Sequence, residues 1–338
     1  MRTNLVIFAA SYFMRPYLLF IFMLGIAVFT NGQDPHTMGI EQMQIWYNPA
    51  LKTDTMPEAH VTLHKVNYPG VLSTTSKSIT LELVFQRNIE TVAAVPFFTL
   101  SAGINADNAT GNLMKASSAM LALAYALPLD YNNTFLGLGF QGNYSFNQVG
   151  NTGSYYSFPA NFDQFGAFNW AVKRDPMESG YNMGYFSFNA GAAVFHTAEE
   201  RQWYVGFSTR YINHPYTEWD HISSLPTTFG VQAGYTTAIN DITQLSAYGN
   251  VSFVSGSSTT IPEQYIGIRG IRKIDVNDSA FFHLSVGVGM NFHQALQPNV
   301  QLQWGRHLFA GYLDLNLPNS ASAGYKRRSY TLLYRYDL

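Results

Sequence analysis

Strict alternation of residue type is the sequence feature that most limits the fold of this chain. Residues 281–293, FFHLSVGVGMNFH, show it clearly, because one set of alternate residues is wholly apolar: Phe282, Leu284, Val286, Val288, Met290 and Phe292. The residues between them are polar or glycine. Since successive residues of a β-strand point to opposite faces, the pattern predicts a strand with one apolar and one polar face.

The same alternation, separated by turn signals such as DVND at residues 275–278, recurs from residue 58 to residue 338. It predicts strands at, for example, 114–127, 133–147 and 261–271. We count about fourteen such strands, each near or above the roughly 9 to 11 residues that a tilted transmembrane strand needs. An even number suits a closed antiparallel barrel.

The chain carries few charges. Asp, Glu, Lys and Arg make up 12% of it, whereas a soluble globular domain has about 25%. A soluble β-sandwich would need charge on its outer faces, while a bilayer needs an apolar outer face and a fully paired backbone. We therefore predict an all-β fold, a transmembrane antiparallel β-barrel at residues 58–338. A soluble lectin-like or adhesive β protein is the alternative.

The C-terminal residues fit a barrel of the outer membrane. The last predicted strand, SYTLLYRYDL, alternates and ends with Tyr334, Tyr336 and Leu338 on one face. Such an ending resembles the signal that the outer-membrane assembly machinery recognises, so we predict that this strand directs barrel assembly. The expected location is the outer membrane of a Gram-negative bacterium, with outer-membrane lipid around the barrel.

The N-terminal residues have the features of an export signal. Arg15 precedes the apolar run YLLFIFMLGIAVF at residues 17–29, which is too short for a helical span. Small residues follow, so we predict a signal peptide at residues 1–32, cleaved near Gly32. Met14 alone would begin a signal of ordinary length, and we predict that translation starts there. A membrane anchor is the alternative interpretation.

Two segments lack alternation. Residues 33–57 precede the first predicted strand, and we interpret them as a periplasmic or plug segment. Residues 149–179 form a long aromatic loop in the prediction, and loops of that length are usually functional. We predict a partner-contact loop whose candidate residues are Tyr155, Tyr156, Phe158, Phe162, Phe165, Phe168 and Trp170.

Motifs for catalysis or metal binding are weak. His60 and His64 share a strand face but lie about 13 Å apart at roughly 3.3 Å per residue, and the chain has no cysteine. We therefore predict no metal site and no cofactor. We also predict no nucleic-acid partner, since no basic patch is present. The Asp220-His221 pair would fit an outer-membrane hydrolase, but no nucleophile motif accompanies it.

Residues 135–146, FLGLGFQGNYSF, contain glycines at the spacing of a dinucleotide-binding motif, but the alternating residues after Gly142 predict no helix to bind a phosphate. In a strand, Gly137 and Gly139 would face the lumen. Their bare backbone leaves space there, which we expect the N-terminal segment or the aromatic loop to fill.

Short motifs spread over the mature chain resemble one family. Asp34-Pro35-His36 and Tyr47-Asn48-Pro49-Ala50, with family-motif residues Asp34, Pro35, Asn48 and Pro49, resemble the opening of the PorP/SprF outer-membrane proteins of the type IX secretion system. Later pieces also resemble it: residues 103–111, 122–128, 188–207 and 325–338. The chain departs from the family in having Leu51-Lys52 where members usually continue with glycine.

The resemblance implies a monomeric barrel of about fourteen strands that is not an enzyme. It also implies partners, namely the type IX translocon, its periplasmic lipoprotein components and a secreted cargo protein such as a gliding adhesin. The lumen-facing Ser, Gly, Asn and His residues leave open a second function, an outer-membrane pore or a transporter of hydrophobic substrates.

Overall fold

The computed structural model describes residues 40–68, 72–86, 94–109, 114–130, 133–149, 181–198, 200–216, 224–255, 263–277, 280–292, 295–316 and 328–338. Two short helical turns, a 3-10 turn at Ile40–Gln42 and α1 at Gln44–Tyr47, precede the strands. No helix among these residues is long and apolar enough to cross a membrane.

Fourteen strands follow in the described part of the chain. They are β1 Glu58–Tyr68, β2 Leu72–Gln86, β3 Phe97–Ala109, β4 Met114–Pro128, β5 Thr134–Val149, β6 Tyr181–Thr197, β7 Arg201–Arg210, β8 Thr228–Asn240, β9 Thr243–Val254, β10 Glu263–Asn277, β11 Ala280–Asn291, β12 Ala295–Trp304, β13 His307–Asn316 and β14 Arg328–Asp337.

The strands form one closed barrel. Each strand pairs antiparallel with its neighbours in sequence, and β1 pairs with β14, where Glu58 lies opposite Asp337 and Asn67 opposite Arg328. Closure pairs the edges that an open sheet would expose, as a membrane requires. The prediction of a closed antiparallel barrel of about fourteen strands is confirmed.

The outer surface of the barrel is apolar, because the apolar residues of the alternating sequence face outward. On β4, the outward residues are exposed and bulky: Leu121, Leu123, Tyr125 and Leu127. The residues between them, Ala122, Ala124 and Ala126, are buried on the lumenal side. Aromatic side chains also pack on the outer surface, as in the Tyr144 and Phe186 rings, whose centroids lie 4.8 Å apart. This apolar surface suits contact with lipid.

The lengths of the connections orient the barrel. Both ends of the strand region, Glu58 and Leu338, lie at one end, where the connections at 129–133, 198–200, 241–242 and 305–306 are short and 87–96 is the longer exception. The opposite end holds the three longest connections, at 150–180, 211–227 and 317–327, together with shorter ones at 69–71, 110–113, 255–262 and 292–294. Since outer-membrane barrels have short periplasmic turns and longer extracellular loops, the end with Leu338 is periplasmic.

Candidate functional site

Residues 40–57, called the lumenal segment below, begin inside the barrel and end at its periplasmic mouth, where Thr55 and Met56 are exposed. Glu41, Trp46 and Asn48 form hydrogen bonds with β13, β2 and β8 in turn, so the segment contacts widely separated parts of the wall. Residues from Met43 to Lys52 are buried or half-buried. A segment that touches so much of a closed wall must fill the middle of the lumen.

Gly137 and Gly139 of β5 let the lumenal segment approach the wall. A Cβ atom at Gly139 would lie 2.5 Å from the carbonyl carbon of Pro49 and 2.6 Å from the backbone nitrogen of Ala50. A Cβ atom at Gly137 would lie 2.8 Å from the carbonyl oxygen of Ala50. These are backbone atoms, which cannot move aside cheaply, so glycine is required at both positions. The space that the sequence predicts beside them is filled by the N-terminal segment.

Gly191 of β6 and Gly206 of β7 continue this surface toward Asn48. A Cβ atom at Gly206 would lie 2.7 Å from Asn48 Nδ2, and a Cβ atom at Gly191 would collide with Asn48 Oδ1. Three neighbouring strands thus present bare backbone to Asn48-Pro49-Ala50. We call these four glycines, Gly137, Gly139, Gly191 and Gly206, the glycine seat.

Asn48 is completely buried, and its amide is fully used. Its Nδ2 donates to Gln232 Oε1 at 3.0 Å and to the carbonyl of Phe207 at 3.2 Å. Its Oδ1 accepts a hydrogen bond from the backbone N–H of Ala50 at 3.0 Å. A side-chain amide has two donor hydrogens and one acceptor oxygen, so Asn48 both turns the segment and attaches it to β7 and β8.

Glu41 attaches the start of the lumenal segment to the other side of the barrel. Its Oε1 accepts hydrogen bonds from Tyr312 Oη at 2.8 Å and from Gln301 Nε2 at 3.2 Å. Arg269 Nη1 lies 3.4 Å from the same oxygen. Charge-assisted hydrogen bonds are about twice as strong as neutral ones, so β10, β12 and β13 hold this end firmly.

Trp46 lies between these two attachments. Its Nε1 donates to Thr80 Oγ1 of β2 at 3.0 Å, and its ring packs against apolar clusters that contain Met43, Met120 and Tyr248. The segment is therefore attached to opposite parts of the wall at once.

Lys52 ends the buried part of the segment in a cluster of carboxylates at the periplasmic end. Its Nζ lies 2.9 Å from Asp54 Oδ1 and donates a hydrogen bond to Glu58. It also lies 3.9 Å from Glu82 Oε2. Burial alone would lower the pKa of Lys52, but Asp54, Glu82 and Glu58 outweigh burial and raise it above its ordinary value. The ammonium group therefore stays charged.

Two cavities border the lumenal segment. One, of about 200 Å³, lies on the periplasmic side beside Lys52 and Tyr204. The other, of about 410 Å³, lies toward the extracellular end and is lined mainly by residues with hydroxyl and amide side chains, such as Ser118 and Asn143. Trp46 borders the second cavity, while Leu51 borders the first. The segment thus lies between two polar chambers of the lumen.

A comparison with protein-family models shows to which family the chain belongs. The model for the type IX secretion system membrane protein PorP/SprF matches residues 33–336, nearly the whole sequence. The chain belongs to the PorP/SprF family. It is a β-barrel of the outer membrane of a Gram-negative bacterium. The resemblance seen in the short sequence motifs is confirmed.

Solved structures show the same kind of fold. The toluene transporter TbuX of Ralstonia pickettii is 9% identical, with a TM-score of 0.50 over 86% of this chain and 92% of that chain. The toluene transporter TodX of Pseudomonas putida is 7% identical, with a TM-score of 0.49 over 93% and 97% of the two chains. At these identities the likeness of TbuX shows the barrel fold alone. No curated protein matches the sequence.

The structure places the predicted residues of this PorP/SprF barrel at different levels of the fold. Asn48 and Pro49 lie in the glycine seat. Tyr334 and Tyr336 lie on β14, where both rings contact His307 of β13. Leu338 is exposed, and its N–H donates to the carbonyl of Pro57 at 2.8 Å.

Other predictions fall on residues outside the described ranges. These are the signal peptide at residues 1–32 with the start at Met14, the motif residues Asp34 and Pro35, the Asp220-His221 pair, and the aromatic loop residues Tyr155, Tyr156, Phe158, Phe162, Phe165, Phe168 and Trp170. They stay predictions.

Sequence reasoning missed several residues that hold the lumenal segment. Gly191, Gly206 and Gln232 contact Asn48 but lie far from it in sequence, and Glu41 meets Tyr312 across most of the chain. The glycines could have been found from the sequence, because each belongs to the set of alternate residues that faces the lumen on its strand.

Proposed function

We propose that this PorP/SprF barrel is a non-catalytic component of type IX secretion that supports the secretion or surface anchoring of a cargo protein, such as a gliding adhesin. The family match over residues 33–336 supports this proposal. The proposed partners are the type IX translocon, its periplasmic lipoprotein components and the cargo itself.

The position of the lumenal segment is the observation that carries the proposal. Its backbone rests on the glycine seat in the periplasmic half of β5, and its side chains are attached to both sides of the wall. A segment fixed in this way obstructs free diffusion through the lumen. It leaves the barrel suited to holding a protein at the membrane rather than to conducting solutes.

The lumenal polar groups support a structural role for the interior. Gln232 Nε2 donates to Ser208 Oγ and Asn250 Oδ1, each at 3.1 Å, and Gln232 Oε1 accepts from Asn48. Buried amides and hydroxyls that are hydrogen-bonded in this way rigidify a wall. They differ from an activated nucleophile, which needs an adjacent base.

Deletion of the gene followed by quantification of surface-exposed proteins tests this function. We expect one or a few large surface proteins to disappear from the cell surface, and a plasmid copy of the wild-type gene to restore them. An unchanged surface proteome in the deletion strain would contradict the proposal.

The aromatic segment at 149–179 is the proposed contact for the cargo. Its flanking strands β5 and β6 reach the extracellular end at Val149 and Tyr181. Replacing its candidate aromatic residues with serine should reduce cargo display while the barrel still assembles. Normal display by that variant would assign the contact elsewhere.

A pore or transporter is the second candidate, supported by the two polar chambers of the lumen. Planar-bilayer recordings separate the two functions. We expect the purified wild-type barrel to be silent and a variant lacking residues 40–50 to show stepwise conductance. Stepwise conductance from the wild type would favour the pore.

A further inference from the structure

Three side chains of β1 and β2 meet at the periplasmic end of the lumen. Glu58 and Glu82 are directly opposite each other in the pairing of these strands. His60 lies two residues beyond Glu58 and therefore on the same face. All three residues are buried, at 7%, 5% and 5% exposure for Glu58, His60 and Glu82.

The donor atoms of the three residues are spaced somewhat wider than the ligands of a bound metal ion. His60 Nε2 lies 3.3 Å from Glu58 Oε1 and 3.8 Å from Glu82 Oε1, and one ligand atom from each residue falls within 4.8 Å of the others. Zinc bonds of about 2.0 to 2.2 Å to nitrogen and oxygen in a tetrahedral site place the ligand atoms roughly 3.3 to 3.6 Å apart. Small side-chain adjustments would complete the coordination.

The imidazole of His60 is an independent sign of a missing ligand. Neither its Nδ1 nor its Nε2 makes a hydrogen bond of normal geometry, although its side chain is only 6% exposed and Nε2 lies within ion-pair distance of Glu58. A buried polar group without a hydrogen bond costs about 1 to 3 kcal/mol. Because Nε2 lies within 3.3 and 3.8 Å of oxygens of the two carboxylates, a metal ion between the three groups would satisfy it after a small rotation of the ring.

The charges around the three residues also favour a divalent cation. Four carboxylates belong to the cluster, those of Glu58, Glu82, Asp54 and Asp337. Two cations face them, Lys52 and Arg335. When all are ionised, four negative and two positive charges leave a surplus of two negative charges, which one divalent ion would neutralise.

Lys52 and a metal ion can share this cluster. Lys52 Nζ faces Glu82 Oε2, whereas His60 Nε2 faces the other oxygen, Oε1. Lys52 is also held by Asp54, outside the three ligands. Only Glu58 would contact both cations, through Oε1, the oxygen that faces His60 and already binds Lys52, while Arg335 Nε lies 3.5 Å from Oε2.

We propose that Glu58, His60 and Glu82 form a binding site for a divalent transition-metal ion of the zinc class. One imidazole and two carboxylates, with water in the remaining position, are a ligand set that zinc accepts. The ion clamps β1 to β2 where the lumenal segment joins the barrel. The site is independent of the cargo and of the proposed function.

Zinc and cobalt binding to the full-length barrel tests the site. The protein is purified without a histidine tag and stripped with EDTA. We expect one zinc ion per barrel, and a cobalt absorption spectrum typical of low coordination number with nitrogen and oxygen ligands. His60→Ala and Glu82→Gln should each weaken zinc binding at least tenfold. His64→Ala is the matched control on the same strand face and should bind zinc like the wild type.

Each alternative outcome is decisive. Absence of zinc binding by the wild type, or equal binding by wild type, His60→Ala and Glu82→Gln, would overturn the site and leave Lys52 and Arg335 as its only cations. Heat-modifiable migration in gels reports whether each variant is folded. Should both variants misfold, a wild-type cobalt spectrum equal to that of the hydrated ion would overturn the proposal by itself.

Discussion

At the residue scale, Gly139 is the position where a single methyl group matters most. Its missing side chain leaves room for the backbone of Pro49 and Ala50 rather than for a flexible side chain. A close contact with backbone can be relieved only by moving the whole lumenal segment or the strand.

Gly139→Ala should therefore destabilise the barrel or displace the lumenal segment. Overpacking of this kind costs about 1 to 3 kcal/mol in the free energy of unfolding. Urea unfolding in lipid vesicles, followed by tryptophan fluorescence, measures the loss.

Gly142→Ala on the same strand is the control for this change. Its Cβ atom would point outward and meet Phe188 at an ordinary 3.6 Å. We expect its free energy of unfolding to stay close to that of the wild type. Equal stability of the Gly139 and Gly142 variants would mean that the close approach to Pro49 is easily relieved.

The sequence predicts the lumenal side of Gly139 but not its partner. Alternation along β5 assigns Gly137 and Gly139 to the inner face, and the space beside them follows from the missing side chains. That Asn48 lies against Gly191 and Gly206 depends on contacts between residues far apart in sequence. For the same reason the sequence did not predict that Glu58, His60 and Glu82 lie together. Only the pairing of β1 with β2 brings Glu82 near the other two residues.

At the element scale, each strand has one face for lipid and one for the lumen. On β5, Phe140 is 52% exposed on the outer face near the middle of the strand, while Asn143 borders the extracellular-side cavity. The same substitution should thus cost much more folding free energy at Phe140 than at Asn143.

Phe140→Arg should cost about 2 to 4 kcal/mol of folding free energy, the range for Arg at the lipid face near the bilayer midplane. Asn143→Arg, its matched control, should cost much less because its side chain can reach water in the cavity. Unfolding titrations in vesicles compare the two. A similar cost for both would argue against the assignment of the outer face.

Strand ends were less predictable than strand faces. Alternation predicts a strand at 261–271, whereas β10 extends to Asn277 and pairs with β11. The added residues begin with Arg272 and Lys273, which are exposed. Arg272 interrupts the apolar row of the outer face, so the predicted strand ends there although Ile274 and Val276 continue the row.

The position of the lumenal segment could not be predicted from the sequence. The segment lacks a hydrophobic period because its neighbours surround it on several sides, and α1 contains only Gln44–Tyr47. Its place is fixed by Glu41, Trp46 and Asn48, each of which binds a different part of the wall. Such contacts leave no local pattern.

At the scale of the whole molecule, the positions of the connections assign the two ends to opposite sides of the membrane. Ile212 lies in the connection between β7 and β8 at the end with longer loops, and Asp241 lies in the short turn between β8 and β9. Both residues are exposed.

The chain has no cysteine of its own, so single cysteines report this orientation directly. In intact cells, Ile212→Cys should react with a membrane-impermeant maleimide, whereas Asp241→Cys should react only after the outer membrane is permeabilised. The reverse pattern would invert the barrel in the membrane.

The barrel as a whole was predictable because its composition and its alternation lead to the same conclusion. A charge content of 12% leaves too few charged side chains for a soluble exterior, and alternation supplies the apolar outer surface that lipid requires. The arrangement of the lumen depends instead on a few long-range contacts.

The pairing of β1 with β14 has a consequence for the kinetics of folding. All other strand pairs join strands that are consecutive in sequence, so these hairpins can form locally. Glu58 of β1, in contrast, meets Asp337 of β14 only when nearly the whole chain is in place. Contacts between residues so far apart form slowly. Closure of this seam is therefore expected to be the slow step of folding, and Arg335, which lies 3.5 Å from Glu58 across it, helps to lock the seam once it has closed.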